Sequence, residues 1–274
     1  MTTRGDDASA RIDTARPSIT RVYDAMLGGK DNFQPDREVR RQLLALDPDF
    51  NRAAWDNRDF AMRATRYLAG EIGINQFVDL GSALPSSENA HEVAQRMNRE
   101  ATTVYVALDH AVLAHGRALL ADNDRTHMAE ADMRQPRQVM ENATVAKYVD
   151  FTQPVAFFLV GVLHHISDRR DPAGMLAQYI EAVPSGSYFV MTHMIDPGPD
   201  DELTPLATAV AKVYRDAGFR LRSRLHDQVK GLMTGLDLLA PGLVKVADWW
   251  PDGPRLRPLS PTQQLLYGAV GRKP

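Results

Sequence analysis

Cysteine is absent from the 274-residue chain. Disulfides, thiolate nucleophiles and thiolate metal sites are therefore excluded, and the composition suits a reducing cytoplasm. Also missing is any apolar run near the roughly 20 residues that cross a bilayer, and the opening MTTRGDDASARIDTARPS has no apolar signal core. The expectation is a soluble, cytoplasmic protein with no membrane partner. Excess positive charge is lacking too: the net charge is -3, so a surface that coats nucleic acid is not indicated. His91, His110, His115 and His127 show no zinc-type spacing with carboxylates, and no metal is expected. What is present suffices for a large buried core, since 44% of the residues are hydrophobic.

Residues 1–16 are polar and poor in large apolar groups, and a disordered arm is expected there. From Ser18 onward, Ile19, Val22, Tyr23, Met26 and Leu27 recur at helical spacing until Gly28-Gly29 stops the pattern. Further helices are expected over Pro35 to Leu46 and about Asn51 to Glu71, so three helices precede the first strand. From Phe77 short apolar runs alternate with helix-like stretches, which argues for βαβ units and a parallel sheet. The strands are expected near 77–80, 103–107, 126–130, 155–161 and 187–193. In the tail, FRLRSRLHD alternates like an exposed antiparallel strand, with Arg220, Arg222 and Arg224 on one face as a solvated edge or a phosphate contact. LMTGLDLLAPG reads as a short helix and QLLYGAVGRK as a final strand.

The runs QFVDLG, TTVYVALDH and RTHMAEADM each close on an acid. Open α/β sheets bind ligands at the carboxyl ends of their strands, so Asp79, Gly81, Asp109 and Asp132 are expected to converge there. A dinucleotide fingerprint needs three glycines at fixed spacing, and the loop after Asp79 has one, which disfavours NAD. A carboxylate at Asp79 suits a cationic ligand group. Asp109 can accept from two ribose hydroxyls and Asp132 from an exocyclic amine. Each acid alone has a plainer reading as a helix cap or turn residue. His164 and His165 follow the fourth run; a histidine there can act as a general base, although packing and a backbone hydrogen bond are the simpler roles. Trp249-Trp250 reads as a packing anchor before an acceptor-pocket wall.

Several segments carry a resemblance: RVYDAMLGGKDNF at Arg21 to Phe33, NRDFAMRATRYLA at Asn57 to Ala69, QFVDLGSALPSSENAHEVAQ at Gln76 to Gln95, and VAFFLVGVLHHISD at Val155 to Asp168. GSYFVMTH at Gly186 to His193, GLDLLAPGLV at Gly235 to Val244 and the terminal YGAVGRKP add to it. With these the chain resembles an actinobacterial family of S-adenosylmethionine-dependent methyltransferases, long catalogued as a domain of unknown function. The resemblance implies an α/β, class I (Rossmann-like) fold with a seven-stranded, mostly parallel sheet, a helical cap at 17–75 and the methyltransferase domain at 76–274. It further implies S-adenosylmethionine as cofactor and in-line methyl transfer to a small-molecule acceptor.

By the same resemblance Asp79 and Gly81, with Ser82 beside them, would hold the methionine moiety. Asp109, followed by His110, would hold the ribose, and Asp132 with the Met133 backbone the adenine. Gly161 would lie near the donor methyl. Tyr23 and Gly29 are expected as cap residues over the cofactor, and Arg58 as a bidentate partner of its carboxylate, against a plainer helix-surface ion pair. His164 is the weak catalytic candidate. Two departures stand out: Ala83 replaces a usual second glycine, and Ala107 replaces the acid expected after VYV, so that Asp109 stands two residues further on. They keep open an alternative in which the protein binds S-adenosylmethionine or S-adenosylhomocysteine as a sensor or scaffold.

Overall fold

Strands β1 (Gln76–Leu80), β2 (Thr102–Ala107), β4 (Ala156–Leu159) and β5 (Tyr188–Met194) are almost wholly buried. Continuous apolar runs of this kind suit a parallel sheet covered on both faces. Their side chains separate with period two. Phe77, Phe158 and Val190 belong to one core, whereas Val78, Phe157 and Phe189 belong to the other. In the computed structural model, which describes residues 13–81, 88–120 and 122–274, β3 (Thr126–Glu130) completes a parallel run ordered β3-β2-β1-β4-β5. The last strand, β8 (Leu266–Arg272), pairs antiparallel with β5 and carries the short β6 (Asp237–Leu238) beyond it. This is the expected seven-strand path; the two-residue β7 (Val244–Lys245) pairs with β8 off that path as an eighth strand.

Among the described residues three α-helices precede the sheet: α1 (Ile19–Met26), α2 (Gln34–Leu46) and α3 (Phe50–Tyr67), the last extended by a π-helical turn at Leu68–Ile72. They share a core with one sheet face through Val22, Leu43, Phe60 and Leu68. Between the strands lie α4 (Ala90–Met97), α5 (His110–Leu119), α6 (Pro136–Met140), α7 (Ala143–Tyr148), α8 (Pro172–Glu181) and α9 (Thr204–Asp216). Helix α8 covers the opposite face, where Tyr179 packs on Phe157 with ring centroids 5.2 Å apart. Trp249 is fully buried against Phe60 and Trp250, a packing anchor as read from the sequence. No helix among the described residues is long and apolar enough to cross a membrane.

The tail departs from its expected pattern. Residues 219–225 form no strand, only an isolated bridge between Ile195 and Arg224. Helix α10 spans His226–Gly231, ahead of the LMTGLDLL stretch, which instead turns and enters β6. The reason is Arg224. Alternation marked it as a solvated edge residue, but it is buried, and its guanidinium donates to the Leu163 and Ile166 carbonyls, to His193 Nε2 at 2.7 Å and to Asp168 at 2.8 Å. Arg222 adds a second contact to Asp168 at 2.7 Å. Those bonds tie the segment to the loop after β4, leaving it no sheet to join.

Arg224→Ala should therefore lower unfolding stability by about 2–4 kcal/mol, because it strands His193 and two buried carbonyls without donors. Chemical denaturation checks this; a loss within experimental error would remove Arg224 from that role.

Candidate functional site

Chain order reverses across β1: β2 lies to one side and β4 to the other. At that switch point the carboxyl ends of β1 and β4 border a cavity of about 200 Å³. Asp79 and Gly81 line it from β1, Val160 and Gly161 from the end of β4, Tyr23 from α1, and Asn57 and Arg58 from α3. The strands bring Asp79 opposite Tyr105 of β2, which also borders the cavity.

Gly81 has φ +85, and a Cβ there would stand 2.7 Å from Val162 Cγ1 and 3.1 Å from Met133 Sδ. Glycine is required both for the turn and for the close approach of anything above it. Asp79 is half-buried at the cavity wall, and the desolvation there pushes its carboxyl up to about 7, with the Arg58 charge pulling the other way. No ion pair joins the two among the described residues. A half-buried carboxyl at a cavity edge, held near neutrality by desolvation, can ionise against a cation.

Polar groups around it are nearly all committed. The Tyr23 hydroxyl donates to the Ala54 carbonyl and accepts from Asn57 Nδ2, each at 3.1 Å. Since the single Tyr23 proton is used, the Asn57 amide must present its nitrogen to Tyr23 and its oxygen away. That oxygen, Oδ1, is buried without a partner among the described residues. Beyond Gly161 come three histidines, two in one tautomer and His164 in the other. His165 Nδ1 meets the Arg220 carbonyl at 2.6 Å, so it carries the proton and Nε2 keeps its lone pair. His164 Nδ1 accepts from the Met194 N–H at 3.4 Å, so its proton is on Nε2. His193 donates through Nδ1 to the Met194 carbonyl and accepts from Arg224. Burial lowers all three pKa values, His193 to about 4, so the rings are neutral.

Of the residues expected from sequence, Tyr23, Arg58, Asp79, Gly81, Gly161 and His164 border the cavity. Asp109 does not line it; its Oδ1 caps α5 through the Ala111 and Val112 N–H groups, and its Oδ2 accepts from the Ser18 and Thr20 hydroxyls at 3.0 Å each. His110 opens α5, outside the lining. Asp132 is bound by Arg134 at 2.7 Å, and the Met133 carbonyl accepts from the Tyr179 hydroxyl at 2.9 Å. Gly29 sits where a Cβ would fall 1.9 Å from Asp24 Oδ1, so it frees room for a buried carboxylate that also holds Asp31 and Asn32. Ser82 and Ala83 lie outside the described residues. Asn57, Tyr105 and Thr20 were missed as site residues. For Asn57 the available signal was a short polar residue directly before Arg58 on an otherwise amphipathic helix. No group of three or more metal-ligating side chains occurs among the described residues.

A parallel sheet covered on both faces, reversing over an acid-bearing cavity and closed by an antiparallel last strand, defines the class I (Rossmann-like) methyltransferase architecture. The chain matches the S-adenosyl methyltransferase family over residues 5–274 and belongs to that family. It is an S-adenosylmethionine-dependent methyltransferase, with S-adenosylmethionine as cofactor. Among solved structures, a candidate methyltransferase from Thermobifida fusca YX shares 40% identity, with 95% of this chain and 96% of that one covered and a TM-score of 0.89. A DUF574 family protein from Streptomyces avermitilis MA-4680 shares 35% identity over 96% and 100% of the two chains, with a TM-score of 0.88. An O-methyltransferase family 2 protein from Planctomyces limnophilus DSM 3776, 17% identical over 92% of this chain and 65% of its own, shares the fold with a TM-score of 0.50. No curated protein matches the chain.

Folding keeps the proton on Asp79 up to about pH 7, whereas the unfolded carboxyl loses it near 3.8. The native state thus binds the extra proton between those values, and stability falls as pH rises through the window. Asp79→Asn should raise the stability of the ligand-free protein at pH 8 by up to about 4 kcal/mol, at roughly 1.4 kcal/mol per unit, and flatten this pH dependence. Denaturation at pH 4.5 and pH 8 reads it; a less stable variant at pH 8 would contradict the burial argument.

Proposed function

We propose that this chain transfers the methyl group to a small-molecule acceptor, with the cofactor's cationic end over Asp79. The carrying observation is the desolvated Asp79 carboxyl beside Gly81, on the cavity wall, which has no ion-pair partner among the described residues. Arg58, the cavity's other charged side chain, suits the cofactor's carboxylate as a guanidinium fork. Gly161 leaves room near the transferred methyl, and Gly81 admits the chain of the methionine moiety. In this reading the ribose is held by Asp109 and His110, and the adenine by Asp132 and the Met133 backbone, with Ser82 adding to the methionine end.

When bound, the cofactor supplies an electrophilic methyl carbon, and the protein's contribution is alignment, worth roughly 7–11 kcal/mol of barrier for well-held reactants. Helices α1–α3 act as a cap, with Tyr23 fixed to α3 through Ala54 and Asn57, and with the Gly28-Gly29 turn folded around Asp24. The cavity of about 200 Å³ is smaller than the roughly 300–1,000 Å³ typical of ligand sites. The cap therefore opens to admit both reactants. Its closing contact is the pair of hydroxyls, Ser18 and Thr20, on Asp109, and ribose hydroxyls compete for the same oxygen.

The Asp79 carboxyl, at about 7 in the free protein, must ionise against a cation. Below that pH, binding of S-adenosylmethionine should release a proton, and affinity should rise as pH goes from 6 to 8. Calorimetry at pH 6.5 in buffers of differing ionisation enthalpy should give about three-quarters of a proton released, falling toward zero at pH 8.5 and absent in Asp79→Asn. Proton-independent binding in the wild type would move the cation site elsewhere.

A further inference from the structure

The cavity's charges sit at one end. Among the described lining residues Arg58 is the one cation and Asp79 the one carboxylate, and they act on each other. Away from them the walls are mostly apolar, with Met26, Phe50, Ala53, Met194, Leu221 and Leu266. Among the polar groups carried by other lining residues, such as Thr20, Asn89, Tyr214 and Thr262, two acceptors stand out. One is Asn57 Oδ1, on a lining residue, buried and without a partner among the described residues, on an amide whose Nδ2 lies 3.2 Å from where a Gly161 Cβ would be. The other is His165 Nε2, left unprotonated because Nδ1 donates to the Arg220 carbonyl at 2.6 Å. Neighbouring His164 has the opposite tautomer and carries its proton on Nε2.

An unpaired acceptor buried in an apolar cavity costs free energy until a ligand brings a donor. A ligand that brings a second negative charge would bury it with no cation to meet it, at a cost of several kcal/mol. We propose that the methyl acceptor is an uncharged, largely apolar molecule bearing a hydroxyl, recognised by Asn57 Oδ1 and His165 Nε2, with His165 as its general base. The hydroxyl proton passes to His165 Nε2 as the oxygen bonds to the methyl carbon, the carbon–sulfur bond breaks, and its electron pair stays on sulfur. The positive charge leaves the sulfonium and ends on the imidazolium, so atoms and charge balance with no further reactant. The backbone carbonyl of Arg220 holds the ring in the basic tautomer and stabilises the imidazolium, as a carboxylate does in catalytic triads. This deepens the methyltransferase reading and rests on it.

The test uses the full chain saturated with S-adenosylhomocysteine and three probes, 2-naphthol, 2-naphthoate and naphthalene, titrated by calorimetry. The wild type should bind 2-naphthol at least about tenfold more tightly than either of the others. His165→Asn can keep a side-chain donor for the Arg220 carbonyl yet has no Nε2. It should bind S-adenosylhomocysteine as the wild type does and lose about tenfold in 2-naphthol affinity, which brings 2-naphthol level with naphthalene. Asn57→Ala should show the same loss of preference. The 2-naphthol advantage should also fade as the pH is lowered and the His165 lone pair is protonated. Equal or tighter binding of 2-naphthoate, no binding of 2-naphthol, or an undiminished 2-naphthol preference in His165→Asn overturns the acceptor assignment while leaving the cofactor site standing. Failure of S-adenosylhomocysteine to bind the wild type removes both.

Discussion

A half-buried carboxyl with no ion-pair partner among the described residues is the constraint around which this molecule is arranged. Asp79 is carried into the interior by β1, whose neighbours Phe77, Val78 and Leu80 are buried in the two cores, and the sheet cannot form without placing it at the switch point. Desolvation then keeps its proton near neutrality. A residue so placed weakens the empty protein and strengthens the complex with a cation, which is the differential that makes a binding site specific for charge. Glycine at position 81, with φ +85 and no space for a Cβ beside Val162 and Met133, is what lets the chain turn directly after that carboxyl.

Around this point the chain uses two braces. The cap is fastened at its start by Ser18 and Thr20 on Asp109, and at its turn by the Asp24 carboxylate, which gathers Asp31 and Asn32. The loop after β4 is fastened by Arg224, which reaches Leu163, Ile166, Asp168 and His193 together. The first brace includes part-buried hydroxyl contacts from Ser18 and Thr20. The second is buried and multiply bonded, and it ties the loop carrying His164 and His165 to the segment around Arg224.

Most of the fold was legible because its signals are local. The apolar runs at 77–80, 103–107 and 126–130 coincide with β1, β2 and β3 within a residue, and Gly28-Gly29 stops α1 as its composition dictates. The tail was not legible. Arg220, Arg222 and Arg224 alternate in sequence like an edge strand, but a contact between Arg224 and residues some 60 positions earlier decides its fate, and alternation carries no information about that partner. The acids were a mixed case. Asp79 borders the cavity, whereas Asp109 and Asp132 spend their oxygens on the α5 cap, the cap hydroxyls and Arg134. Histidine roles were hidden more deeply, since a tautomer is set by which backbone group each ring nitrogen meets, and His164 and His165 are indistinguishable without that geometry.

The most direct test of the account is the titration of the Asp79 carboxyl itself, followed by carbon-13 NMR with the Asp79→Asn protein for assignment. The free protein should show a midpoint at about 7, and saturation with S-adenosylmethionine should lower it by about two units or more. A midpoint near that of an ordinary aspartate in the free protein, or one that S-adenosylmethionine leaves unmoved, would contradict it.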